Sequence, residues 1–353
     1  MEGSVGFDFG VKRGAEHLSF RSNCRRHTSN AHGKEGKINM GIIRRRPTTG
    51  PPLHHVGPFE FRLQNEGNTP RNILEEIVWN KDKEVSEMKE RRPIASLKKG
   101  ISGGVSPVRD FIGALKARAA ETCFPALIAE LKKASPVLGV IQPNYNVVEI
   151  AQAYEKGGAA CISVNTDSKY YQGSFEDLQA IRDAGIECPL LCKEFIIDAW
   201  QIYHARLKGA DAVLLMASIL PDVDIKYMTK ICKVLGMAAL VEVVNLRELD
   251  RVLGIDGIEL VGIQNQNLET FVVDINKTEH LLQREQAKII CDRDIIVVAE
   301  SGLSTPKDTA LVQRAGARAV LVGEYLLKQN DPAAAIAALF GKDISINSIV
   351  KAM

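Results

Sequence analysis

PALIAELKKASPVLG, residues 125–139, decides the fold. It opens as a short apolar run, the pattern of a strand buried on both faces of a parallel sheet. Two charges then enter it two residues apart, Glu130 and Lys132. Alternate residues of a strand share a face, so both point the same way, inward. A doubly wound open sheet is the main competitor, and it often carries a G-x-G-x-x-G turn after its first strand. Here the turn is ELKKASPVLG, residues 130–139, without that fingerprint.

Seven more apolar runs follow: AACISVNT (159–166), PLLCKEFI (189–196), AVLLMAS (212–218), AALVEVVN (238–245), LVGIQNQ (260–266), IIVVAESG (295–302) and AVLVGEYL (319–326). Helical patterns lie between them, among them VVEIAQAYEKGG, SFEDLQAIRDAG, DAWQIYHARLKG, TPKDTALVQRAG and PAAAIAALFG. Gly157, Gly185, Gly209, Gly236 and Gly316 close helices where a left-handed cap is expected. Eight buried strands, each followed by a helix, predict a single α/β (β/α)8 TIM barrel over 123–353. A chain of 353 residues fits one barrel of about 250 residues plus an N-terminal helical extension.

That extension covers 69–122. Residues 72–91, NILEEIVWNKDKEVSEMKER, read as an amphipathic helix with Ile73, Ile77, Val78, Val85 and Met88 near one face, ended by Pro93. A second helix is expected to start at a Ser106 cap followed by Pro107 and to run through DFIGALKARAA. The run KDKEVSEMKERR, 81–92, reads as a solvated helix face of mixed charge rather than a nucleic-acid patch. Tyr154, Phe175, Trp200 and Tyr203 are assigned to the core, and His204 and His280 to surface or helix positions.

Residues 1–68 lack sustained periodicity and carry breakers at 44–52, RRRPTTGPP, and 65–72, NEGNTPRN. Residues 1–50 hold ten Lys/Arg against four Asp/Glu, so the net charge of +2 divides into a basic start and an acidic remainder. This basic, largely unstructured region is read as a plastid transit peptide. A disordered tail, with a cytoplasmic protein, is the alternative. Seven scattered cysteines without a CxxC pair point to a reducing compartment, with no disulfide framework or structural zinc. Five of the seven histidines precede residue 56, which argues against histidine catalysis or a multi-histidine metal site. No run reaches the ~18 apolar residues of a membrane span.

In such barrels chemistry sits at the C-terminal ends of the strands. Those ends carry Glu130, Lys132 and Ser135; Ser163, Asn165 and Thr166; Lys193 and Glu194; Glu242; Gln264, Asn265 and Gln266; Glu300, Ser301 and Gly302; and Gly323 with Glu324. The fourth strand ends uncharged, in MAS. Charges inside apolar strands are costly unless paired. A buried salt bridge could explain any one of them. Two lysines and three glutamates on four strands favour a proton-transfer site instead. Gly302 and Gly323 fall where barrels commonly bind phosphate, although a tight turn would also call for glycine.

Taken together, IAELKKASP, EIAQAYEKGGAACISV, PLLCKEFIIDAWQIY, LVEV, ETFVVD, AESGL and AVLVGEYL, in this order, resemble the indole-3-glycerol-phosphate synthase family from about residue 70 onward. Residues 51–82 resemble the lead-in of its plastid-targeted plant form. The combination of E-x-K-x-x-S-P with C-K-E-F is highly specific. The resemblance implies ring closure, decarboxylation and dehydration of 1-(2-carboxyphenylamino)-1-deoxyribulose 5-phosphate, a step of tryptophan biosynthesis, without metal or organic cofactor. It implies Lys193 as general acid and Glu242 as general base, with Glu130 and Lys132 in proton transfer and carboxylate pairing. Ser135, Gln264, Glu300 and Ser301 would contact substrate, and Gly302, Gly323 and Glu324 would hold phosphate. The partners implied are a phosphorylated small molecule and other enzymes of the pathway, with neither nucleic acid nor membrane.

Several positions depart from the family pattern. The first-strand loop, typically S-P-S-(K/R)-G, reads Ser135-Pro136-Val137-Leu138-Gly139 here. Asn165 replaces a leucine, and Val244 stands where His is common. G-I-N-N-R has become Gly262-Ile263-Gln264-Asn265-Gln266, so one amide is a methylene longer and one positive charge is gone. The proton-transfer residues persist while the substrate-holding ones have drifted. This leaves a second reading open: a weakly active or inactive paralogue that binds a phosphorylated ligand or a partner enzyme.

Overall fold

The computed structural model describes residues 53–56, 59–62, 69–70, 72–267 and 270–345. The proposed transit region lies outside these, apart from two strands, Leu53–Val56 and Phe59–Arg62, which pair antiparallel.

Eight parallel strands close into a barrel: β1 (Ala126–Leu131), β2 (Cys161–Asn165), β3 (Leu190–Lys193), β4 (Ala212–Met216), β5 (Ala238–Val243), β6 (Leu260–Gln264), β7 (Ile296–Glu300) and β8 (Ala319–Val322). They pair in chain order, and β8 pairs with β1 to complete the ring. Every residue of β1, from Ala126 to Leu131, is buried, as expected of a strand covered on both faces. The apolar faces of all eight strands and the inner faces of the surrounding helices form one continuous core. Cutting a fully buried leucine such as Leu127 to alanine would cost about 2–5 kcal/mol.

The expected helices form with shifts of one or two residues. They include α4 (Val147–Lys156), α5 (Phe175–Asp183), α6 (Ala199–Leu207) and the helices Pro306–Ala315 and Pro332–Phe340. Gly185, Gly209, Gly236 and Gly316 adopt positive φ, but Gly157 does not; its neighbour Gly158 makes the left-handed turn. That turn brings Gly158 against the backbone of Ile344, where a Cβ would lie 2.4 Å from a carbonyl oxygen.

Among the described residues three helices precede the barrel: α1 (Ile73–Arg91), α2 (Ile94–Ser102) and α3 (Phe111–Thr122). Asn72 caps α1 by accepting from the Glu75 N–H at 2.9 Å. Pro93 does end α1, yet it also opens α2, a short helix absent from the sequence reading. α2 packs on α6, where the lack of a side chain at Gly100 admits Leu207. The expected Ser106 cap is not used. Asp110 caps α3 instead, accepting from Gly113 N–H at 2.8 Å. A carboxylate at the cap satisfies a free N–H and favours the positive end of the helix dipole, and no helical residue separates Ser106 from Asp110.

Tyr154, Phe175 and Trp200 are buried and Tyr203 is partly so. His280 is exposed, but His204 is buried, stacked on Phe175 and edge-on to Trp200. Among the described residues no helix is long and apolar enough to cross a membrane.

Candidate active site

The charged residues of the strand ends converge at one mouth. Glu130, Lys193, Glu242 and Glu300 come from β1, β3, β5 and β7, the odd-numbered strands whose inward residues share a layer in such barrels. Glu130 takes two ammonium groups: Lys193 Nζ donates to its Oε1 at 2.8 Å, and Lys132 Nζ lies 3.0 Å from its Oε2. Burial would push this carboxyl up, but the two lysines outweigh it and hold it at about 2. Burial would likewise lower Lys193, yet Glu130, Glu300 and Glu242 outweigh it, and its affinity for the proton is raised. Lys193 is therefore an ammonium at neutral pH, aimed into a cavity.

Glu242 and Glu300 form a second unit. Burial raises both carboxyls, Lys193 opposes that rise in each, and for Glu300 the charge of Glu242 adds to it. With both ionised, Oε1 of Glu242 and the two oxygens of Glu300 would be buried acceptors without a donor. One proton between them supplies a Glu242–Glu300 hydrogen bond. Gly262 makes this approach possible: on β6, between the two strands, a Cβ there would lie 2.0 Å from Glu300 Oε1. Gln264 Nε2 donates to Glu242 Oε2 at 3.3 Å, while its Oε1 accepts from the Gln266 N–H at 3.1 Å. The longer amide is thus tethered at both ends.

Two adjoining cavities open here, sharing Glu130, Lys132, Gln266 and Ser301. The first, of about 100 Å3, sets Lys193, Glu242, Asn165 and Gln264 against an apolar wall. Ile73, Leu74 and Ile77 of α1, Phe195, Leu214, Met216 and Phe271 make that wall, a shape suited to an aromatic ring. The second, of about 440 Å3, is lined by Ser301, Gly302, Ser304, Gly323, Glu324 and Lys328. Ser301 and Gly302 both have positive φ, 68° and 83°; for serine this is strained backbone, a feature that clusters at functional sites. Gly323 also makes room for Glu130, whose Oε2 a Cβ would meet at 2.2 Å.

Three expected site residues are placed differently from the rest. Ser135 lines neither cavity; its hydroxyl accepts from Leu138 N–H at 3.1 Å within a short hairpin, and Pro136 faces the cavity instead. Glu300 is fully buried behind Glu242. Glu324 lines the second cavity, but its carboxylate accepts from Lys328 Nζ at 2.6 Å. Among the described residues no group of three His, Cys, Asp or Glu is placed to hold a metal ion.

The sequence reading missed the clamp that holds α1 over the mouth. Lys81, assigned to a solvated face, is only 2% exposed. It pairs with Glu84 and Asp167 at 2.8 Å and with Glu194 at 3.0 Å. Burial works against its charge, but Glu194, Asp167 and Glu84 outweigh it and raise its affinity for the proton. Glu194 directly follows Lys193, so α1 is tied to the strand that carries the mouth's central ammonium. The apolar wall was missed as well, although Leu214 and Met216 alternate along β4.

A family model described as indole-3-glycerol phosphate synthase matches residues 74–339. The chain is 60% identical over 314 residues, 88% of its length and 78% of the relative's, to an Arabidopsis thaliana protein named indole-3-glycerol phosphate synthase, chloroplastic. It is 51% identical to the indole-3-glycerol phosphate synthase of Rippkaea orientalis, over 86% of this chain and all of that one. For that of Microcystis aeruginosa the figures are 54%, over 85% and 99%. None of these names points to a non-catalytic paralogue. The charged mouth, the two joined cavities and this similarity along most of the chain agree: the chain belongs to the indole-3-glycerol phosphate synthase family, whose members are carboxy-lyases of tryptophan biosynthesis.

Proposed function

We propose that the mouth converts 1-(2-carboxyphenylamino)-1-deoxyribulose 5-phosphate to indole-3-glycerol phosphate, carbon dioxide and water. The observation that carries this reading is the Lys193 ammonium, held by Glu130 beside Glu242 at the foot of an apolar-walled cavity that adjoins a second one. The phenyl ring lies against Ile73, Leu74, Ile77 and Phe195, and the ribulose chain runs toward Gly302 and Gly323. Lys193 donates its proton to the ribulose carbonyl oxygen as the ring carbon attacks, and the carboxylate leaves as carbon dioxide. Lys132 pairs with that carboxylate before it leaves and, with Glu130, passes protons within the mouth. Glu242 removes a proton from the carbon next to the nitrogen, while the hydroxyl takes a proton passed from Lys132 and leaves as water. The raised affinity of Glu242 for protons, set by burial, suits a general base working near neutral pH.

Gln264, Glu300 and Ser301 keep their proposed places in the site. Gln264 and Glu300 act through Glu242, and Ser301 at the junction of the cavities. Gly302, Gly323 and the backbone of Glu324 face the phosphate. Ser135 acts on the first-strand loop through Leu138 rather than on substrate. We further propose that residues 1–68 direct the protein to the plastid. Their basic balance and the relative named chloroplastic support this. Turnover by the purified full chain, followed as indole fluorescence with carbon dioxide release, tests the reaction. Equal amounts of the two products are expected, and a folded protein that releases neither refutes it.

A further inference from the structure

The second cavity poses an electrostatic problem. A phosphate bound against Gly302 and Gly323 would meet the Glu324 carboxylate, a like charge that weakens binding unless it is neutralised. Among the described residues two cations line this cavity, Lys132 and Lys328. Lys132 is drawn to Glu130, 3.0 Å away. Leu138 and Gln266 add no charge to the mouth. Lys328 sits one helical turn after Glu324 and donates to its Oε1 at 2.6 Å. Gln142 Nε2 holds the preceding carbonyl, that of Leu327, at 3.2 Å, which fixes where the lysine emerges. Both partners are about half exposed, 53% for Lys328 and 47% for Glu324. Such a pair contributes little to stability, so an ammonium can leave it at small cost for a more highly charged oxyanion.

We infer that Lys328 is the cation that binds the substrate's phosphate, and that Glu324 is its counter-ion while the cavity is empty. This rests on the placement of substrate proposed above. Glu324 then has two parts. Its backbone faces the phosphate, and its carboxylate keeps Lys328 extended along the cavity wall.

The test uses the purified full chain and its Lys328→Ala, Lys328→Arg and Glu324→Gln variants. KM and kcat are measured for the carboxyphenylamino-deoxyribulose phosphate, and the affinity for inorganic phosphate by calorimetry. Lys328→Ala is expected to raise KM and weaken phosphate binding about ten- to a hundredfold, the effect of losing a charged hydrogen bond. Its kcat should stay within about threefold, because the lost contact is made equally in ground and transition states. Lys328→Arg should recover most of the affinity, and Glu324→Gln should bind phosphate at least as tightly as wild type. Unchanged KM and unchanged phosphate affinity in Lys328→Ala would overturn the inference. Calorimetry reads phosphate binding even if the wild type turns nothing over, so failure of the proposed reaction and failure of this inference give different results.

Discussion

At the residue scale, the site is a set of carboxyls and ammoniums whose neighbours decide which of them holds a proton. Gln264 shows how a departure from the family pattern is absorbed. Its added methylene carries the amide to Glu242 Oε2, and the Gln266 N–H holds the other end. Gln264→Leu removes a donor that favours the ionised carboxylate, so Glu242 should keep its proton to higher pH. We expect kcat to fall about tenfold or more, with the acid limb of its pH profile moved upward. A profile unmoved by the substitution would mean that the amide does not act on Glu242. The charged residues were legible in the sequence because an ionised group inside an apolar strand is too costly to be incidental. Lys81 was not, because one buried lysine in a helix of mixed charges looks like any solvated one. Its partners Asp167 and Glu194 lie far along the chain.

At the element scale, strands and barrel helices follow from apolar runs and caps, while the N-terminal helices are where the reading slipped. Ser106-Pro107 carries a valid start signal, but Asp110, with Gly113 N–H in reach, competes with it and wins. Asp110→Ala should therefore cost about 1 kcal/mol in urea unfolding and Ser106→Ala almost nothing; the reverse order would restore the earlier boundary. The Lys81 clamp matters more. Replacing it with methionine leaves Asp167 and Glu194 buried without their cation. That should cost about 3–5 kcal/mol. It should also raise KM, since Ile73, Leu74 and Ile77 of the same helix form the cavity wall. A variant as stable as wild type with unchanged KM would show that α1 does not depend on the clamp.

At the scale of the whole molecule, the barrel was legible because eight buried strands with intervening helices leave few other closed solutions. Cavities were not, because they arise where residues distant in sequence meet. His204 does lie on a helix, but its burial was not legible: a helix pattern alone does not show that Phe175 and Trp200 enclose it. Burial first, then the charges of Lys208 and Arg92, push it down from 6.5 to about 4. A depressed histidine stabilises the fold fully above the ordinary value, and that contribution is lost as pH falls from 6.5 through about 4. Relative to His204→Phe, the wild type should lose about 3 kcal/mol of unfolding free energy across that window. A constant difference between the two proteins from pH 7 to pH 4 would mean that His204 is not held neutral by its surroundings.

Protonation of the substrate by one ammonium, Lys193, at a mouth whose carboxyls keep it charged, is the step proposed to govern the reaction. It is tested most directly by single-turnover rates of indole formation in the full chain and its Lys193→Ala variant, at saturating substrate and neutral pH. A rate about 10²–10⁴-fold lower is expected in the variant, with the fold intact and the substrate still bound. A variant that forms the indole within tenfold of the wild-type rate would contradict it.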